Sequence, residues 1–432
     1  MCSGGRLMIS YESALQRLLA QATTAGEETV GLTQAFGRVL ARSLDSPMSL
    51  PSFDHAAMDG YALVAGSGLP AGSEHAIHGS LAAGDPPADS AGGAWEIMTG
   101  ACLPPGLDAV IALERTELLQ SRSDGKPARI RLTESLLPGR NVRVAGTDVS
   151  VGSAVMAAGT SIGAAQIMLL AALGVASVPV VRRPRVAIIC TGKELQADPG
   201  QSLAPGRIHN SNGPYLVAEL TAAGAQVTGY ETVDDSASNY ADALQRAMDA
   251  GAEVIISTGA VSMGRYDFVP EVLRTLKAET LFHKVAIRPG GPMLGARLSR
   301  GPVLLALPGT PMAVAVGLRF FVVPLLRVMA GQAPEKPLQA RLLESLPSRR
   351  GLRHFLHARL SQDERCSLVA IVSSLQQPFR IHSFAHDDTW LVVPEDVVAC
   401  ETDMLFDVFS LGAAAPWPLG LTKREQAGGG QT

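Results

Sequence analysis

The spacing of apolar positions changes character several times along the chain. Tyr11 to Ala22 carries Ala14, Leu15, Leu18 and Leu19 at helical spacing, and Leu32 to Leu40 predicts a second helix. From Pro51 to Val149 the apolar runs are short and cut by Gly and Pro, as at Pro104-Pro105-Gly106, which is the texture of a β-rich domain. Val151 to Val181 has no charged residue, yet its glycines and Pro179 predict strand, turn, short helix and strand rather than a membrane span.

After Arg183 strands and helices alternate. Val186 to Cys190, Gln226 to Val233, Glu253 to Ser257 and Val303 to Leu307 predict strands, and Tyr215 to Ala223 and Tyr240 to Ala250 predict helices. This alternation predicts a doubly wound parallel sheet with helices on both faces. Pro311 to Met329 predicts a long helix broken near Pro324, and Arg319 and Arg327 argue against its crossing a membrane. Gly331 to Pro337 looks like a linker, short strands follow to about Trp417, and the Gly428-Gly429-Gly430 tail is expected to be disordered.

A chain of 432 residues implies several domains. With 36 Lys and Arg against 40 Asp and Glu, the formal charge of −4 gives no reason to expect nucleic acid or an anionic membrane as partner. Any anion site must therefore be local. The five cysteines are scattered without a CxxC pair, as expected of reduced thiols in a cytoplasmic protein, and Met1 to Ile9 lacks a signal-peptide core.

Four segments could carry chemistry. Thr258-Gly259-Ala260-Val261-Ser262-Met263-Gly264 follows a buried strand, with Asp267 just beyond. Such a turn can cradle an oxyanion, with Asp267 near a bridging metal, or it can be a tight strand-to-helix turn with no ligand. Glu194, Asp234 or Asp235, and Asp267 each follow a predicted strand end. Together they could hold Mg²⁺, or each could cap a helix. Lys284 and Arg288, four apart on a predicted strand over Phe282 to Pro292, would share a face and could grip one anion, or could lie on a solvent-facing edge. The segment Pro51 to Ala62, with Asp54, His55, Asp59 and Tyr61 around an Asp-Gly turn, reads by chemistry alone as a hydrogen-bonded turn.

In this order these segments resemble the molybdopterin molybdenumtransferase family, which includes the E domain of gephyrin. The likeness is carried by Asp54-His55-Ala56-Ala57-Met58-Asp59-Gly60-Tyr61-Ala62, by Ile97-Met98-Thr99-Gly100-Ala101 with Pro105 to Val110, and by Asn141-Val142-Arg143 with Gly146-Thr147-Asp148. It continues through Thr191-Gly192-Lys193-Glu194-Leu195, Asn210-Ser211-Asn212, Val261 to Gly264 with Asp267, and Leu307-Pro308-Gly309. It runs from about Tyr11 to Met329 and thins after Gly331.

The resemblance implies a multidomain α/β plus β protein. Its parts would be a helical and extended linker domain (10–50 and 150–181), a β-rich domain (51–149), a doubly wound molybdopterin-binding domain (182–331), a C-terminal β domain (332–418) and a tail (419–432). It implies a homodimer in which the β-rich domain of one subunit faces the α/β domain of the other. The implied reaction consumes adenylylated molybdopterin and molybdate with Mg²⁺ and releases AMP and molybdenum cofactor. Implied partners are a molybdopterin adenylyltransferase and recipient apo-molybdoenzymes or their chaperones.

By position, Asp59, Thr99, Asp148, Glu194, Asp234, Asp267, Lys284 and Arg288 are the implied catalytic set. Glu194, Asp234 and Asp267 would hold the metal, and Gly259, Ser262, Gly264, Asn212, Pro308 and Gly309 the pterin. Several positions depart from the family pattern. Ala260 stands for a Gly, Arg288 for a Lys, Gly291 for a Lys, Thr310 and Ala313 for Asn and Ser, His357 for an Arg and Pro378 for a Ser, with Arg380 and His382 close by. The retained acids favour an active insertase. The lost cations favour a non-catalytic paralogue that binds and delivers the cofactor or its precursor. The β-rich motifs argue against an unrelated hydrolase on the same α/β scaffold.

Overall fold

The structure is a computed structural model that describes residues 8–88, 92–261, 268–299, 301–347 and 350–413. The chain divides into two compact units, Thr29–Val180, and Met1–Glu28 with Val181–Thr432.

In the first unit, six strands make one sheet: β1 (Gly60–Leu63), β2 (Glu74–Leu81), β3 (Ala94–Ile97), β4 (Ala109–Ala112), β5 (Thr116–Ser121) and β6 (Pro127–Leu132). Their order is β4-β1-β3-β2-β6-β5, with only β2 and β3 parallel. The β-rich texture read after Pro51 is this sheet. Strand β1 is buried along its whole length. Tyr61 and Leu63 pack with Ile111, Ile130 and Leu132 on one face, and Ala62 packs with Ile97 and Val110 on the other. A Cβ on Gly60 would lie 1.9 Å from the Ile111 carbonyl oxygen, so only glycine allows β1 and β4 to approach this closely.

The same unit holds the predicted strand, helix and strand at Ala154–Met156, Ala164–Ala172 and Ser177–Val181. The helix expected over Leu32 to Leu40 is not there. A single 3₁₀ turn spans Leu32–Gln34, Gly37 adopts φ +73°, and Val39 and Leu40 bridge Ser161 and Val180. The apolar spacing that suggested a helix instead buries Ala35 and Leu40 against Met156, Ile162, Leu170 and Val178. Tertiary pairing overrides local periodicity here.

The second unit is built on β7 (Arg185–Thr191), β8 (Gln226–Val233), β9 (Val254–Thr258), β10 (Glu279–His283), β11 (Ile287–Arg288), β12 (Leu294–Arg297) and β13 (Val303–Leu307). Six of these form a sheet in the order β8-β7-β9-β13-β12-β10. The first four are parallel, and β12 runs antiparallel to both neighbours. Helices α1 (Tyr11–Leu19), α2 (Asn212–Ala222), α3 (Ala237–Asp249) and α4 (Val269–Thr275) flank it. Alternation within β7 decides the faces. Ile188 and Cys190 pack with Ala14, Leu18, Leu216 and Leu220, whereas Ala187 and Ile189 pack with Tyr240, Leu244 and Leu273.

The continuous strand expected over Phe282 to Pro292 is broken. Lys284 adopts φ +69°, which ends β10, and β11 leaves to pair with Arg353 and His354 in another sheet. That sheet contains β14 (Leu338–Leu342), β15 (Arg353–Gln362), β16 (Leu368–Val372), β17 (Thr389–Val393) and β18 (Leu405–Ser410), in the order β11-β15-β16-β14-β18-β17. Pairing of β17 back onto β15 closes a five-stranded barrel with β11 appended. The long helix Pro311–Met329 is apolar enough to span a membrane, but 83% of it is buried inside the protein. Its expected break is a π-helical turn over Leu318–Val322, just before Pro324. Within that turn the buried Arg319 pairs with Glu335 at 2.7 Å and donates to the Ser410 carbonyl at 3.0 Å.

Candidate functional site

In the first unit three sequence-distant loops are sewn into one patch. Ala56 and His55 pair with Val142 and Arg143, the Ala56 N–H donates to Ala101 O at 3.1 Å, and the Ala145 N–H donates to the Asp54 carboxylate at 2.7 Å. Asn141, in the left-handed region at φ +54°, donates its amide to Val110 O at 2.8 Å. The patch therefore gathers all three motifs of the β-rich segment.

On this patch Asp59 and Thr99 meet directly. One carboxylate oxygen of Asp59 accepts both the backbone N–H and the hydroxyl of Thr99, each at 2.7 Å. Both residues are exposed. The two bonds, the backbone one foremost, hold the Asp59 carboxyl below its ordinary value, so its ionised form persists to lower pH than in an unrestrained Asp. Asp148 is exposed on the third loop, where its N–H donates to Leu50 O at 3.0 Å. Thr99→Val removes the hydroxyl bond and leaves the backbone bond. The Asp59 carboxyl is expected to titrate higher in this variant, though still below an unperturbed Asp, in a carbon-detected NMR pH titration. An unchanged titration would show that the hydroxyl contributes nothing.

In the second unit the chain runs from β7 to β8 on one side and returns to β9 on the other, so the strand order reverses between β7 and β9. Crevices of this kind, at the carboxyl ends of strands, are where open α/β sheets bind ligands. Here the loops interlock closely. The Gly259 N–H donates to Leu307 O at 2.9 Å, and the Asn212 amide donates to Gly309 O at 2.8 Å. A Cβ on Gly259 would lie 2.5 Å from Thr191 Oγ1, and one on Gly309 would lie 3.6 Å from the Gly259 Cα. Gly259, Gly309 and Asn212 are thus brought together, with Pro308 between Leu307 and Gly309. Ser262, Gly264 and Asp267 lie outside the described residues.

The adjoining loop carries acids. Gly192 N–H donates to Val233 O at 3.1 Å, and Lys193 N–H donates to the Asp235 carboxylate at 3.3 Å, which joins the ends of β7 and β8. Glu194 folds back so that a Cβ on Gly192 would lie 2.7 Å from its Oε1. Asp234 is exposed and accepts from the Asn239 amide at 2.7 Å. Two of the three expected acids therefore occupy neighbouring loops. Among the described residues no group of three or more His, Cys, Asp or Glu side chains could hold a metal ion, and the third acid, Asp267, is not among those residues. Arg207, whose guanidinium donates to the Lys193 carbonyl, adds a cation to this rim that the sequence did not single out.

Ala260 adopts φ +50°. This is the position where the resembling family carries glycine, and the backbone keeps a glycine-like conformation while bearing a Cβ. Ala260→Gly is expected to stabilise the protein by about 1 kcal/mol, because the left-handed conformation costs an L-residue roughly that much. Chemical denaturation at equilibrium measures it, and a destabilised variant would refute the strain.

Lys284 and Arg288 do not share a strand face, since the left-handed turn at Lys284 separates β10 from β11. Arg288 instead lines a cavity of about 460 Å³ with His354, Ser373, Ser374, Gln376 and Pro378. His357 does not replace the expected arginine there. It is 1% exposed, its Nδ1 bonds the Asp387 carboxylate, and its ring sits edge-on to Phe384 and Trp390. Arg380 lies over the Phe379 ring and His382 lies edge-on to His386. At Gly291 a Cβ would stand 3.1 Å from Ile287 O and 3.2 Å from Val285 O, so this loop is packed for glycine. The polar groups Ser373, Ser374 and Gln376 around Arg288 escaped the sequence reading because they sit in a loop of the divergent final segment.

With this geometry in view, comparison with known proteins is informative. The family described as "MoeA N-terminal region (domain I and II)" matches residues 9–174, and "Probable molybdopterin binding domain" matches residues 187–328. The molybdopterin molybdenumtransferase of Synechococcus elongatus is 32% identical over 408 residues, covering 92% of this chain and 98% of that protein. Molybdopterin molybdenumtransferase 2 of Mycobacterium tuberculosis is 35% identical over 414 residues, with the same coverage. The crystal structure of a molybdopterin biosynthesis MoeA protein from Pyrococcus horikosii superposes with a TM-score of 0.79 at 29% identity, covering 94% of this chain and 99% of that one. The likeness therefore extends through the C-terminal barrel, beyond where the motifs thin out, and the chain belongs to the molybdopterin molybdenumtransferase family.

Proposed function

We propose that this member of the family inserts molybdate into adenylylated molybdopterin with the help of Mg²⁺ and releases AMP and molybdenum cofactor. The observation that carries the reading is the crevice at the reversal of strand order. There the glycine loops after β9 and β13 interlock through Gly259, Gly309 and Asn212, and Gly259 packs on Thr191 at the head of the loop that carries Glu194. Glycine at both positions lets the two loops pack this tightly at the carboxyl ends of β9 and β13, where open α/β sheets take their ligands.

The exposed carboxylates of Glu194 and Asp234, with Asp267 as a third, are hard oxygen donors of the kind a magnesium ion takes. Bound there, the ion would neutralise charge on the phosphoanhydride. Glu194 and Asp234 would hold it, Gly259 and Gly309 would seat the pterin phosphate, and Asn212 would keep the Gly309 loop in place. Arg288, with Ser373, Ser374 and Gln376 beside it, offers the molybdate oxyanion one guanidinium and several neutral polar groups. Asp59, ionised and oriented by Thr99, and Asp148 would complete the site from the β-rich unit of a second subunit in a homodimer. A cytoplasmic adenylyltransferase would supply the substrate, and apo-molybdoenzymes or their chaperones would take the product.

Reconstitution of a molybdenum-free apoenzyme from adenylylated molybdopterin, molybdate and Mg²⁺ tests the reading. AMP release coupled to enzyme activation is the expected result. Tight pterin binding without either would leave a carrier in place of an enzyme.

A further inference from the structure

The parallel strands have two ends, and the crevice uses only the carboxyl end. At the amino end lies a cavity of about 320 Å³. Arg185 opens β7 there, Glu253 precedes β9, Arg297 closes β12, and Met248, Leu325 and Met329 supply apolar wall.

Among the described residues Glu253 is the only acid lining this space. It is already satisfied, accepting two bonds from Arg182 at 3.1 and 2.7 Å and one from the Arg185 backbone N–H at 2.9 Å. The Arg185 guanidinium stands off, with Nε 3.9 Å from the nearer Glu253 oxygen. That Nε is buried and has no hydrogen-bond partner among the described residues. Arg297 donates one N–H, at 3.1 Å, to a neutral acceptor, the Gln21 carbonyl. Gly251, at φ +73°, lets the Arg185 guanidinium lie against bare backbone, since a Cβ there would come 2.9 Å from Nη1.

Two guanidinium groups therefore line a partly apolar cavity whose one carboxylate among the described residues is shared between Arg182 and, at 3.9 Å, Arg185. The Arg185 side chain is 42% exposed, so its Nη groups rather than the buried Nε are open to a ligand, and the natural complement of two such forks is an oxyanion accepting from both. We propose that this basal cavity binds a small organic anion, a carboxylate or phosphate monoester bearing a compact apolar group, through Arg185 and Arg297. The occupant would not compete with substrate, because the five-residue strands β9 and β13, roughly 17 Å long, separate the cavity from the crevice.

Calorimetric titration of the full chain with benzoate, and separately with phenyl phosphate, tests this. At least one probe is expected to bind saturably at one per chain, and the tighter of the two identifies the head group. Arg297→Gln should weaken binding at least about tenfold, the effect of losing a charge-assisted bond. This variant carries the test, because among the described residues the Arg297 side chain bonds one neutral carbonyl, that of Gln21. Arg185→Gln should act in the same direction, and Glu194→Gln at the crevice should leave binding unchanged. No saturable binding of either probe overturns the proposal. So does binding that survives Arg297→Gln, or that is lost in Glu194→Gln.

Discussion

Gly60→Ala is expected to lower the melting temperature of the β-rich unit by roughly 6–12 °C. The added methyl would meet the Ile111 carbonyl oxygen at 1.9 Å, deep inside contact distance and against backbone, where no flexible side chain can yield. Overpacking of this kind costs about 3 kcal/mol, and each kcal/mol moves the midpoint of a unit this size by roughly 2–4 °C. Gly31→Ala is the matched control, because its Cβ would meet nothing within 4 Å. Equal melting of the two variants would show that β1 and β4 can separate without penalty. The substitution also touches function, since Asp59 immediately precedes Gly60 and its placement against Thr99 depends on this strand contact.

Glu194→Gln is expected to slow AMP release by roughly 10²–10³-fold at saturating substrate while leaving pterin binding close to wild type. Removing one preorganised group that stabilises developing charge has an effect of that size. The amide keeps the shape of the carboxylate but contributes no charge to a divalent ion. Raising Mg²⁺ should recover part of the rate if weakened metal binding is the cause. Turnover equal to wild type at low Mg²⁺ would remove Glu194 from the site.

These two residues also mark what was legible in the sequence and what was not. The parallel strands were legible because strands buried on both faces read as continuous apolar runs, as Val303–Leu307 does. Ends of strands then placed Glu194 and Asp234 on one rim. Leu32 to Leu40 misled because its apolar spacing serves pairings with Ser161 and Val180, more than a hundred residues away, that no local window contains. Phe282 to Pro292 misled because a single left-handed lysine sends the chain into a second sheet. The Asp59 patch had no local signature either. Its defining bonds join residues 40 apart, Asp59 and Thr99, and 91 apart, Asp54 and Ala145. Only the recurrence of several motifs in one order revealed it. Gly60 shows the same limit, since the need for glycine there comes from a neighbouring strand and not from a turn.

The buried Arg319 bears on solvent preference as well as on packing. Pro311–Met329 has a mean hydropathy of 1.9 and enough length to cross a bilayer. Arg319 sits near the midpoint of that segment, where an arginine opposes insertion by roughly 2.5–3.5 kcal/mol. The side chain that ties the helix to Glu335 and to the barrel is therefore also the one that makes this segment a poor membrane span.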